Sequence, residues 1–218
     1  MSRFALSALL TGLLLVTGCP MMSASDVPLH TDDNTVAAKD FPGRHVLYTI
    51  KDGKETEPAR YDLKSTGQGE FAALRINDEG DYDGAPVELR FVKLSDTAEF
   101  IELHVQPGDD LMGLVIPHGY NPDGNYWFAR VERPDKDTIK LLGFDKKYAD
   151  KAWSEDVGRL EQHPDVRTRE VKVTDDSTGD LKNVRVIDMK ADELRAFVTK
   201  HADEFNVHLW TLRREEKK

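Results

Sequence analysis

The chain is expected to fold as a β-rich α+β protein, an antiparallel meander sheet or barrel-like body with two helices in its C-terminal half. Three observations predict this. Apolar residues alternate with polar ones over several short runs, which places one set of side chains on a buried face and the other in water. Turn-forming residues separate those runs at short intervals, so neighbouring strands run antiparallel. Late in the chain the apolar period lengthens toward that of a helix.

The elements follow in order. Val46, Tyr48 and Ile50 alternate in the first run. Further strands are expected over 60–64, 71–76, 87–94 and 100–105, with Val87, Leu89 and Phe91 as the clearest inward row. Asp52-Gly53 suits a tight hairpin, because both positions tolerate positive φ. Residues 111–116 form a short apolar run, and a loop rich in Gly and Pro follows it over 117–125. Strands are expected again over 126–132 and 138–142. Tyr148, Ala149, Ala152, Val157 and Leu160 then fall on one helical side, with Asp145 placed to cap the start. Strand character returns over 167–173 and 184–189. Leu194, Phe197, Val198, His201 and Phe205 form the stripe of a second helix over 191–205, and a last strand is expected over 207–213.

The N-terminal segment reads differently. Arg3 precedes an apolar run to Val16, and the small residues Thr17 and Gly18 lead to Cys19, the only cysteine of the chain. This is the three-part form of a secretory signal, and its apolar core is short for a membrane span, which needs about 20 residues. The stretch Val16-Thr17-Gly18-Cys19 resembles the lipobox of bacterial lipoproteins, with Val16 where that family usually carries Leu. The resemblance implies acylation of the Cys19 thiol with diacylglycerol, cleavage before Cys19 and acylation of the new amino terminus. Two or three acyl chains make membrane attachment effectively permanent at about 0.8 kcal/mol per buried methylene. In enterobacterial members of that family an Asp directly after the cysteine favours the inner membrane, so with Pro20 there the resemblance implies the outer membrane, on its periplasmic face.

The expected organisation is therefore a signal peptide over 1–18, a lipidated N-terminus and flexible tether over 19–40, and a single globular domain over 41–218. A tether of about twenty residues would hold the domain about 25 Å from its anchor. The 200 residues left after the signal suffice for a hydrophobic core. With Cys19 taken by lipid, no disulfide forms within the mature chain, and core burial alone holds the fold. The formal net charge is −10 and the basic residues are scattered among acidic ones, which argues against nucleic acid as a partner.

Residues able to do chemistry are densest between His104 and Trp127. His104, His118, Tyr120 and Trp127 form the candidate ligand-binding loop, since glycine- and proline-rich loops present side chains freely. No metal or cofactor is expected. The chain lacks His-Glu-x-x-His and paired histidines at helical spacing, and residues 175–180 lack the alternation of an EF-hand. No Gly-x-Ser-x-Gly is present, and Gly67-Gln68-Gly69 reads as a turn rather than a phosphate loop. His201 is expected to be a partly buried helix residue.

Residues 184–187, 191–197 and the aromatic strand 126–131 look like small, uncharacterised lipoproteins of Gram-negative bacteria, over about half the chain in pattern. The resemblance implies an envelope location and supplies no catalytic residues. The expected function is a non-catalytic, lipid-anchored envelope protein that binds a partner or supports the envelope. A lipocalin-like carrier of a small apolar molecule, with its mouth near 111–127, is the first alternative. A hydrolase using His104 or His118 as base is the second.

Overall fold

A computed structural model describes residues 23–37, 41–105, 110–111, 114–115, 125–149, 158–174 and 181–215. The chain forms β1 (Ser23–Ser25), β2 (Gly43–Lys51), β3 (Lys54–Gly67), β4 (Glu70–Ile76), β5 (Tyr82–Ser95), β6 (Ala98–Val105), β7 (Asp110–Leu111) and β8 (Leu114–Val115). It continues through β9 (Asn125–Glu132), β10 (Thr138–Ala149), β11 (Thr168–Thr174), β12 (Leu181–Ile187), helix α1 (Ala191–Lys200) and β13 (Phe205–Arg214). Three-residue 3₁₀ turns lie at Leu160–Gln162 and Ala202–Glu204.

Eight of these strands close an antiparallel barrel. The order is β10, β13, β2, β3, β4, β5, β6, β9, and β9 pairs back onto β10. Closure removes the exposed strand edges that an open meander would carry. The β2–β3 hairpin turns at Asp52 (φ 51°) and Gly53 (φ 71°), the positive-φ pair expected there.

The closure is confined to one end of the β9–β10 seam. Glu132, Val131 and Arg130 pair with β10, whereas Phe128, Trp127 and Tyr126 pair with β1. Beyond Leu142 strand β10 leaves β9, follows β13 as far as Phe144 through register shifts at Leu141/Leu142 and Gly143/Phe144, and bridges Gly158 from Phe144 and Ala149. Strand β1 fills the gap, and β12 and β11 extend the sheet beyond it.

Alternation along each barrel strand sorts side chains into two cores. Inside the barrel Leu47, Leu63, Phe71, Leu89, Phe91, Leu103, Trp127, Leu141, Trp210 and Leu212 are all buried in one cluster. Phe41 enters from the N-terminal side and meets Phe71 and Phe91 edge-on, with ring centroids 5.2 and 4.4 Å away. Large side chains thus fill the interior, each contributing about 1.5–3 kcal/mol by burial. The second core lies outside the barrel wall, where Phe100 and Phe128 meet Phe144, Phe205, Leu160, Leu194 and Val198. Leu194 and Val198, one helical turn apart, are the fully buried positions of α1.

Three expectations are corrected. The first concerns the helix anticipated after Asp145. Tyr148 and Ala149 end strand β10 and Leu160 opens a 3₁₀ turn, while 150–157 lie outside the described residues. Phe144 and Tyr148 stack with centroids 5.0 Å apart, and a four-residue spacing shares a face in a strand as well as in a helix. Among the described residues α1 is the one α-helix.

The second correction shortens the helix anticipated over 191–205. It stops at Lys200, because His201 leaves helical geometry (φ −105°, ψ 19°) and Phe205 is drawn into β13, where it meets Phe100 and Phe144 at 5.1 and 5.0 Å.

The third removes much of the tether. Residues 23–37 pack against the body: β1 joins the sheet, Leu29 is completely buried, and Thr35 bridges Val92. Glu102, on the outer side of β6 and 1% exposed, accepts the Leu29 N–H and contacts the His30 ring, so the segment is clamped by a buried carboxylate. Gly69 (φ 76°) lets this segment cross the barrel end, since a Cβ there would meet the Val36 carbonyl oxygen at 2.7 Å. Cys19, the signal segment 1–18 and residues 38–40 lie outside the described residues.

Candidate functional site

The residues singled out by sequence are not gathered into one loop. His104 sits on β6, stacked on Tyr126 of β9 at 4.8 Å and 15°, with its Nδ1 3.4 Å from Glu88. Its neighbour Glu102 faces outward with it, so the His104 ring belongs to the outer wall of the barrel. Trp127 points the other way, into the interior core, and is 4% exposed. Its indole N–H is buried and, among the described residues, has no hydrogen-bond partner. His118 and Tyr120 lie outside the described residues.

An open cleft occurs at the opposite end of the barrel, where the β9–β10 hairpin, the start of β2, the end of β13 and the N-terminal segment meet. Its volume is about 830 Å³. Val36, Phe41 and Ile139 give it an apolar floor, and Glu99, Arg133, Asp135, Lys136, Asp137 and Arg214 give it a charged rim. Phe41 serves two purposes, closing the interior core beneath and presenting apolar surface above.

The rim is built from paired charges. Arg133 holds Glu99 through Nε at 3.2 Å and Nη2 at 2.5 Å, and its guanidinium lies 4.9 Å from the Phe91 ring centroid. That two-pronged contact fixes Arg133 in one geometry. Arg214 lies 3.9 Å from Asp137 and Lys136 lies 3.8 Å from the same carboxylate. Asp135 accepts the Asp137 N–H at 2.8 Å, and this bond holds its carboxyl below the usual range. Cations and anions are balanced around the opening, so the cleft suits a ligand that carries both signs above an apolar contact.

His45 forms one wall, and its Nδ1 lies 3.0 Å from the Gly43 carbonyl oxygen. Burial lowers its pKa below 6.5, against the Gly43 bond and with help from nearby Arg214. His208 is lowered too, by burial and then by Lys140. A ring that resists protonation when folded binds fewer protons than the unfolded chain, so stability rises with pH in that window. The benefit is complete above pH 6.5 and is lost as pH falls through the lowered folded values. Urea unfolding at pH 7.5 and 5.0 should therefore show a lower midpoint in acid, and His45→Gln should reduce the difference.

Among the described residues, one group away from the cleft brings histidine and carboxylate ligand atoms together. The ligand atoms of His163, Asp165 and His201 lie within 4.8 Å of one another. No motif links these residues in the sequence, and His201 reads there as an ordinary helix residue. The cleft is equally hidden, because five separate segments supply its walls.

No protein-family model matches the chain, and no curated protein matches it either. The functional reading therefore rests on the residues and their geometry.

Proposed function

We propose that this chain is a non-catalytic, lipid-anchored protein of the bacterial cell envelope, favouring the periplasmic face of the outer membrane, that binds a protein partner through the cleft at the barrel end. The observation that carries the binding reading is the pairing of an apolar floor with a charge-balanced rim above a filled barrel. A polypeptide segment offers both kinds of contact at once, whereas a wholly apolar molecule makes no use of the charged rim.

The lipobox-like stretch supports the anchor. Strand β1 begins four positions after Cys19, a span of at most about 14 Å when extended. A barrel attached in this way rests against the membrane surface instead of ranging above it.

The closed eight-stranded barrel gives the lipocalin-like carrier a second place. Its difficulty is that the interior is occupied by Phe71, Phe91, Trp127 and Trp210, so a carried molecule would have to displace them or use the mouth.

A photo-crosslinking residue placed at Lys136, which is 89% exposed on the rim, separates the two in living cells. The partner reading expects a discrete protein adduct that is absent when the probe replaces Glu79 on the distant β4–β5 turn. Lipid recovered with the chain on extraction, without a protein adduct, would support the carrier and overturn the partner reading.

A further inference from the structure

His163 and His201 come together where three segments converge outside the barrel. The 3₁₀ turn Leu160–Gln162 ends at His163, whose N–H donates to the Leu160 carbonyl at 3.0 Å. His201 closes α1, and its N–H donates to the Phe197 carbonyl at 3.0 Å. The two imidazole centroids are 4.8 Å apart. Tyr148 at the end of β10 lies 4.8 Å from His163, and Phe197 stacks on His201 at 4.3 Å, so aromatic rings wall the pair.

The hydrogen bonding of His201 singles out one nitrogen. Its Nδ1 lies 2.8 Å from Glu204 Oε1. A carboxylate oxygen at that distance is an acceptor, which places Nδ1 as the donor and leaves Nε2 as the nitrogen able to bind a ligand. That Nε2 is buried and, among the described residues, has no hydrogen-bond partner. A carboxylate bonded to one ring nitrogen, with the other nitrogen left to a ligand, is the arrangement that surrounds metal-bound histidines.

The other groups complete a ligand set. His163 is 5% exposed, and its Nδ1 accepts the Asp165 N–H at 3.1 Å. Asp165 is exposed, two residues along, and brings its carboxylate to the same place. Lys147 Nζ sits 2.9 Å from Glu204 Oε2, so the nearest cation is matched by its own carboxylate.

We propose that His163, His201 and Asp165 form a binding site for a borderline divalent transition metal, Zn²⁺ foremost, with Glu204 as the residue that orients His201. Two imidazoles and one carboxylate suit Zn²⁺ and disfavour Ca²⁺ and Mg²⁺, which take oxygen ligands. Tetrahedral bonding needs ligand atoms about 3.3 Å apart, so the set must contract, and exposed Asp165 has the freedom to move. Binding displaces the weak Asp165 N–H contact at His163 if Nδ1 is the ligand. The exposed side of Asp165 leaves a fourth position for water.

Titration of the full-length chain in detergent with Zn²⁺, followed by calorimetry and by the absorption spectrum of the Co²⁺ form, tests the site. One equivalent should bind. His201→Gln and Asp165→Asn should each weaken binding at least about tenfold, and Glu204→Gln should do so by about 10–100-fold. His104→Gln and His118→Gln should leave the affinity unchanged. Asp165 is exposed, so its variant keeps the fold, and Zn²⁺ should raise the melting temperature of the parent more than that of Asp165→Asn. Absence of saturable binding by the parent, or an affinity in Asp165→Asn and His201→Gln as high as the parent's, would overturn the proposal.

Discussion

Replacing Phe91 by Ala is expected to destabilise the protein by about 3–5 kcal/mol, the cost of a large cavity in a packed core. Phe91 has no exposed surface and takes edge contacts from Phe41 at 4.4 Å and Phe71 at 5.9 Å. Its ring also supports the Arg133 guanidinium, so the loss reaches the cleft floor and one fixed charge of the rim together. For a chain of this size the melting temperature should fall on the order of 10 °C. Scanning calorimetry measures the shift, and a fall of only one or two degrees would mean that the barrel interior is not packed around Phe91.

Phe205→Ala should cost a similar amount, about 3–5 kcal/mol, from the second core. Phe205 is 1% exposed and meets Phe100, Phe128 and Phe144 at 5.1, 6.2 and 5.0 Å. It directly follows Glu204, so its loss should also loosen the orientation of His201 and weaken Zn²⁺ binding. Phe91→Ala, in the other core, should leave that binding unchanged. The pair of variants thus separates cleft from metal site by which function each one disturbs. Urea unfolding followed by Zn²⁺ titration of the folded variants gives both readings, and equal Zn²⁺ affinity in Phe205→Ala would dissociate the second core from the histidines.

These outcomes depend on features of unequal legibility in the sequence. The barrel strands were readable because each has one face in a core, so Val87, Leu89 and Phe91 point inward in strict alternation. The Asp52-Gly53 hairpin was readable because its backbone needs residues that accept positive φ. The packing of residues 23–37 is not, since that segment is polar on average and what holds it, the pairing of β1 with β9, the Thr35–Val92 bridge and the Glu102 contact to Leu29, comes from residues far along the chain. The late strand through Tyr148 was misread because spacing of four satisfies two periodicities at once.

The sites fared similarly. His104 and Trp127 stand on adjacent strands and face opposite sides of the barrel wall, a separation that residue type does not reveal but strand parity does. The meeting of His163 with His201 depends on α1 docking over the second core. Only the fold brings them together, and the one local signal was a histidine at the end of an amphipathic helix followed three residues later by Glu204.

The claim that governs the rest is that Cys19 carries lipid and holds the barrel at a membrane. Mass spectrometry of the N-terminal peptide, taken from chain extracted from the membrane fraction of its host, tests this most directly. The account predicts a peptide beginning at Cys19, with acyl chains on the thiol-linked glycerol and on the amino terminus, and loss of both in Cys19→Ser. A peptide retaining residues 1–18, or an unmodified Cys19 within a chain cleaved elsewhere, would contradict it.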